Sequence, residues 1–178
     1  GNNWCLFYFP TPNDTNAVSP CFDEYAQEPS FTLPAGFYPG AQTLGMTVPA
    51  GTTVRYTRNG NIPSGTDAVY TGPIAIDSTQ VIRARAFSNT GLDLPSKTIT
   101  NTYFINENIS LPVISLCTDS LNLWDDTTGI YVMGPYANPV SPYRGANFWN
   151  DWERLGHTEY FDKNDKQRQS CDQQIFPH

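Results

Sequence analysis

The sequence predicts an all-β fold, a sandwich of short strands followed by a smaller α+β appendage. Three observations predict it. Thirteen Gly and 15 Pro, with only 15% of residues charged, favour short strands and turns, because Gly and Pro weaken helix interiors and set turn geometry. Residues 31–105 hold six strand-like segments at spacings of roughly ten residues, each ended by Gly, Pro or Asn, which is the rhythm of a sandwich. An apolar content of 39%, with 13% aromatics, can build a core in 178 residues, a length that suits one domain or a small domain plus part of another.

Taken in order, residues 1–29 combine the aromatic run "WCLFYF" with the Pro-bearing "PTPNDTNAVSPCFDEYAQEP", an arm with one strand leading into a linker. Residues 30–106 carry the sandwich strands "SFTLPAG", "AQTLGMTVP", "TVRYTR", "AVYTGPIAI", "QVIRARAFS" and "SKTITNTYFI". Alternation assigns their faces. Val54 and Tyr56 point one way and Arg55 and Thr57 the other; Ile82, Ala84 and Ala86 form an inward set that leaves Arg83 and Arg85 on a solvated face. The alternative for these two arginines is an anion site, but strand arginines more often keep a sheet face soluble.

The texture changes over residues 107–178. "SLPVISLCTD" is apolar on both alternating sets, as expected of a strand buried on two sides or running between two packed units. A short helical turn follows at 120–124, then a polar turn, a strand over 129–133, an alternating strand over 156–161 and a charged turn. No internal repeat or low-complexity tract interrupts this order.

A net charge of −7 provides no cationic footprint for nucleic acid, whose phosphates need clustered Lys and Arg. No apolar run is long enough for a bilayer span. The four cysteines, Cys5, Cys21, Cys117 and Cys171, lack the close pairing that a zinc ribbon needs and allow three full pairings. Cys5 and Cys21 bracket a Pro/Asn/Asp-rich loop where a disulfide would be worth roughly 3 kcal/mol. The alternative is free buried thiols. A disulfide there implies an oxidising compartment.

The stretch from "GFYPGAQTLG" through "TITNTYFI" resembles the β-sandwich at the C-terminus of chitobiases and β-hexosaminidases, a fibronectin-III-associated module. The resemblance is carried by Arg55, Tyr56, Thr57, Gly60, Pro63, Tyr70, Pro73, Ile74, Ile82, Ala84, Ala86 and Tyr103, in that order. It implies an immunoglobulin or fibronectin-III-like sandwich. Where that family usually has Asp-Gly, this chain has Asn59 and Gly60, which suits a tight turn and removes a carboxylate that could bind a cation. "LPVISLCTDSLNLWDDTTGIYVMG" and "GANFWNDWERLGHTEYFDKND" are similar to the opening of CotH-like domains, which resemble protein kinases in fold. "FYFPTPNDTN" is faintly similar to the exit of a lamin-tail-like domain. Such combinations imply a secreted or surface-attached bacterial protein, extracellular in location, whose partners are its neighbouring domains. In CotH-like proteins a long catalytic region follows the strand that holds His157. Its absence here implies a fragment without phosphotransfer machinery, and no cofactor is expected.

The candidate sites are weighed on chemistry. No Gly-rich phosphate loop is followed by a suitable Lys. Asp125 and Asp126 could hold a metal, but "DDTTG" more often makes a turn through side-chain-to-backbone bonds. His157 reads as a packed or surface residue of a strand rather than a base. Glu153 and Glu159 are a conceivable glycosidase pair that nothing in the sequence places across a cleft. The stronger candidates are aromatic: Trp124, Tyr136, Tyr143, Trp149 and Trp152 could stack on sugar rings, against the alternative that they pack the second unit. The sequence therefore predicts an architectural module, with carbohydrate binding as the alternative and polysaccharide as the alternative partner.

Overall fold

A computed structural model describes residues 6–7, 20–162 and 168–175. Two short pairs open the chain. β1 (Leu6–Phe7) pairs antiparallel with β2 (Cys21–Phe22), and β3 (Ser30–Phe31) waits for a later partner. β4 (Gly36–Tyr38), β5 (Gln42–Leu44), β6 (Met46–Thr47), β7 (Thr52–Thr57), β8 (Ala68–Val69), β9 (Ile74–Ile76), β10 (Gln80–Ser88) and β11 (Ile99–Ile105) follow. One five-stranded sheet has the order β4-β11-β10-β7-β8, and the pairs β5-β9 and β3-β6 make up the facing layer.

Two segments that alternation reads as single strands divide here. "AQTLGMTVP" splits into β5 and β6 at Gly45, whose N–H donates to Thr32 Oγ1 (2.9 Å). A Cβ on Gly45 would lie 3.0 Å from that same oxygen, so the Thr32 side chain packs against position 45 where any larger residue would crowd it. "AVYTGPIAI" splits into β8 and β9 around Gly72 and Pro73, since proline cannot supply a ladder N–H. The halves join opposite layers.

The inward faces are those that alternation assigns. Val54, Ile82, Ala84, Ala86, Tyr103 and Ile105 from the large sheet meet Leu44, Met46, Ile74 and Ile76 from the facing layer, with Tyr56 and Tyr70 packed against them. The register sets Ala84 opposite Tyr56 and Ala86 opposite Val54, so small side chains leave room for large ones. Burying each Leu or Ile of this set contributes about 1.5–3 kcal/mol. The polar ends of the rings find partners: Tyr70 Oη accepts the Met46 N–H (3.0 Å) and Tyr103 Oη donates to the Leu33 carbonyl (2.9 Å).

Beyond the sandwich, β12 (Val113–Thr118), α1 (Ser120–Trp124), a 3-10 turn (Asn147–Trp149), β13 (Arg154–Phe161) and β14 (Arg168–Ile175) form a second unit around the antiparallel sheet β12-β13-β14. α1 occupies the residues its sequence suggests because Asp119 caps it, its side chain accepting the Leu121 N–H (3.0 Å). The strand expected over 129–133 is absent. Those residues turn back on α1, with Ile130 N bonded to Asn122 O and Tyr131 N to Leu123 O (both 3.0 Å), so their backbone groups are used locally rather than in a ladder. β12 is covered on one side only, since Ile114 and Leu116 are exposed. The charged turn expected after β13 lies mostly outside the described residues.

Candidate functional site

The sandwich and the second unit meet along a seam that begins at the Asn59 and Gly60 corner. Gly60 has φ +86°, a conformation that costs glycine little, and Asn59 Oδ1 accepts the Asn61 N–H (3.1 Å). The Gly60 carbonyl accepts from Arg83 Nη1 (2.8 Å) and lies 3.4 Å from the Cys117 thiol that donates to it. Asn61 Oδ1 accepts the Ser120 N–H (3.1 Å) at the start of α1. The turn thus holds β12 and α1 in place.

Arg83 corrects the sequence reading. It is 5% exposed rather than solvated, because the second unit covers the outer face of β10 and β11; its Nε donates to Thr100 Oγ1 (3.2 Å). Arg85 donates to the Ser96 carbonyl (2.6 Å), so neither arginine forms an open anion site. Two residues along β11, Thr102 donates to the Glu159 carboxylate and accepts from the Ser115 hydroxyl (2.7 Å). Then Phe37 and Phe104 stack at 4.4 Å between centroids, and Phe161 meets both edge-on at 5.9 and 5.2 Å. Polar bonding at one end of the seam gives way to ring packing at the other. Burial pushes the Cys117 thiol above its ordinary value, with Arg83 drawing it down and Glu159 raising it by lesser amounts.

The aromatic candidates lie in α1 and in the segment that joins it to β13. Trp124, Tyr136 and Trp149 are 62%, 86% and 63% exposed, whereas the bland reading of the sequence packs them inside. They fall into separate groups. Trp124 sits 6.0 Å from Tyr131 across α1 and its turn. Trp149 donates its indole N–H to the Pro142 carbonyl (2.8 Å), beside Tyr143, which has φ +57°. Trp152 is half-buried and carries the Arg154 guanidinium 5.1 Å from its ring. Among the described ring contacts none joins Trp124 to Trp149 or Trp152. Asn147, 2% exposed, holds the connecting loop by donating to the Asp126 carbonyl (3.0 Å).

The remaining candidates resolve on geometry. Asp125 Oδ1 accepts the backbone N–H and hydroxyl of both Thr127 and Thr128, the turn favoured from sequence. Those bonds, the Thr127 hydroxyl first, lower the Asp125 carboxyl to about 2. Glu159 is 1% exposed beneath the seam while Glu153 is exposed, so the two do not line one open cleft. His157 is buried opposite Cys117. Arg55 and Arg58 are spent on the Asp67 carbonyl and Gln80. Cys21 is disulfide-bonded and Cys117 is a free thiol; Cys5 lies outside the described residues. Among the described residues no group of three or more His, Cys, Asp or Glu could hold a metal, and no helix is long and apolar enough to cross a membrane.

Residues 33–100 match the chitobiase/beta-hexosaminidase C-terminal domain. That domain is a non-catalytic β-sandwich module of multidomain proteins. The match covers β4 to the start of β11 and does not extend to the second unit, so the CotH-like resemblance gains nothing from it. No curated protein and no solved structure matches the chain.

The part of the seam formed by β10 and β11 is what sequence reasoning missed. Its signal was present in β11, where all of Thr100, Asn101, Thr102, Tyr103, Phe104 and Ile105 are buried. "TNTYF" mixes hydroxyls with rings on both alternating faces, a pattern that a strand with one wet face does not need.

Proposed function

We propose that the chain is a non-catalytic structural module of a secreted or surface-attached bacterial multidomain protein, in which the sandwich spaces its neighbours and seats the segment that follows it. The observation that supports this best is β11, buried on one face by the sandwich core and on the other by β12 and β13. A strand shared in this way fixes the second unit to the first without a flexible linker, which is what a spacer requires. The domain boundaries at 29/30 and 106/107 belong to this proposal. So does the CotH-like reading of residues 107–178, which rests on Leu111 and Pro112, Thr118 and Asp119, Gly129 to Val132, and the Asn147 to Arg154 motif. Under it the parent protein would be an atypical kinase, and this segment would supply its opening strands.

Hydrogen exchange tests the spacer role. Slow amides of β11, β12 and β13 are expected to open together, with one free energy. A second unit that exchanges through a separate, much cheaper opening would refute a rigid spacer.

Extracellular location is supported by the disulfide at Cys21. Non-reducing peptide mapping of chain secreted from an oxidising host is expected to return Cys5 linked to Cys21. Recovery of Cys21 joined to Cys171 instead would remove the small-loop pairing.

A second reading, carbohydrate binding, is favoured by the exposure of Trp124, Tyr136 and Trp149, since a fixed indole face offers apolar area at little entropic cost. Titration with chitin and plant polysaccharide fragments decides between them. The architectural reading expects no binding that Trp149→Ala abolishes. Binding lost in that variant, with its thermal midpoint unchanged, would put the second reading first.

A further inference from the structure

We propose that the groove between the segment 24–27 and the adjoining end of the sandwich binds a hydroxyl-rich sugar chain, neutral or amine-bearing. It is independent of the spacer reading and of the Trp149 surface. The groove encloses about 450 Å³ between residues 24–27, the turn before β7 and the loop after β10, a size within the range of roughly 300–1,000 Å³ typical of small-molecule sites.

Its construction is more ordered than a chance hollow beside a linker. Ala26 N donates to Leu94 O (2.7 Å) and Leu94 N to Glu24 O (3.0 Å), a parallel bridge centred on Tyr25 and Leu94. Leu94 and Ala26 are buried, yet the Tyr25 ring between the two anchors is 49% exposed. The backbone on both sides of the ring is therefore pinned while its face remains open. The opposite wall is equally held. Asn89 N donates to Gly51 O (2.9 Å), Thr52 Oγ1 donates to Pro49 O (2.7 Å), and Ser88 Oγ donates to Asp93 Oδ2 (3.0 Å). A binding site whose parts are already fixed loses little freedom when it fills.

The lining chemistry selects the ligand class. Glu24 and Asp93 offer carboxylate acceptors, the hydroxyls of Thr52 and Ser88 can still accept, the Gln27 amide offers both donors and an acceptor, and Tyr25 offers the ring. The side chains of Glu24, Tyr25 and Gln27 make no hydrogen bond to another described residue. Among the described residues no Lys, Arg or His lines the groove, so a phosphate, sulfate or uronate would meet two carboxylates and no counter-charge. A pyranose has what the groove lacks: an apolar C–H face for the Tyr25 ring and hydroxyls at its rim that can both donate and accept. An amine on the sugar would gain from Glu24 and Asp93.

The test is calorimetric titration of the full chain with hexasaccharides of glucose, N-acetylglucosamine, glucosamine and a uronic acid. Binding is expected for at least one of the first three and not for the uronate. Tyr25→Ala is expected to weaken it by about threefold to tenfold, and Trp149→Ala to leave it unchanged. If glucosamine binds, Glu24→Gln should weaken that ligand and spare the neutral ones. Because Tyr25→Ala could loosen the bridge to Leu94, amide shifts are followed in the unmodified chain as well. Bound sugar is expected to move Gly51, Thr52 and Ser88. Absence of binding by all three non-acidic sugars, binding indifferent to Tyr25→Ala, or shifts confined to residues 143–149 would each overturn the proposal.

Discussion

Phe161→Ala is expected to destabilise the chain by about 3–5 kcal/mol, the range for removing a buried aromatic ring from a site that cannot collapse. The ring is 1% exposed and sits edge-on to both Phe37 and Phe104, which are stacked on each other and belong to the sandwich sheet. Removing it leaves a hollow between two flat rings. These are held by the parallel pairing of β4 with β11, so they cannot move together to fill it. Urea unfolding followed by fluorescence measures the loss, and a second probe on the sandwich should report the same midpoint. Ile114→Ala serves as the control: Ile114 is on the neighbouring strand but faces solvent at 68% exposure, and its loss should stay within about 0.5 kcal/mol. A Phe161→Ala chain that loses less than the control would mean that the seam contributes nothing to stability.

Arg83→Ala is expected to cost on the order of 3 kcal/mol, because the half-buried Gly60 carbonyl and the buried Thr100 hydroxyl lose charge-assisted bonds. The comparison that makes the result specific is Arg58→Ala. Arg58 lies in the same turn and bonds Gln80 (3.2 Å) at the exposed surface, where such a contact is worth little. Two arginines at the same end of the paired strands β7 and β10 should thus differ several-fold in cost. A thiol reagent offers an independent readout. Cys117 is 5% exposed and donates to the same Gly60 carbonyl, so labelling requires the seam to open. Arg83→Ala should label faster than the parent chain at the same pH, and equal labelling rates would show that Arg83 does not hold the seam shut.

The site residues divide by how local their causes are. The Asp125 turn was readable because both partners of each bond lie within three residues, and α1 was readable because its cap precedes it directly. The 129–133 segment was not. "GIYVM" has the composition of a strand, but its backbone bonds to Asn122 and Leu123, and nothing in its own residues announces those partners. Trp124, Tyr136 and Trp149 illustrate the same limit from the other side: aromatic crowding made a packed cluster the default, yet each ring ended in solvent.

By itself the sequence determined the sandwich. Period-two alternation in "VIRARAF" and "TVRYTR" chose which side chains face inward, and Gly and Pro chose where strands end, since both effects act between residues close in the chain. What only the tertiary structure decided is the outer face. Alternation can say that Arg83, Thr102 and Phe104 point away from the core, but whether that side meets water or another sheet depends on β12 and β13 arriving from more than ten residues away and, for Glu159, from 57 residues along the chain. The Asn59 and Gly60 corner joins the two levels. Local chemistry makes it a turn, and the carbonyl which that turn exposes becomes the acceptor on which Arg83 and Cys117 converge.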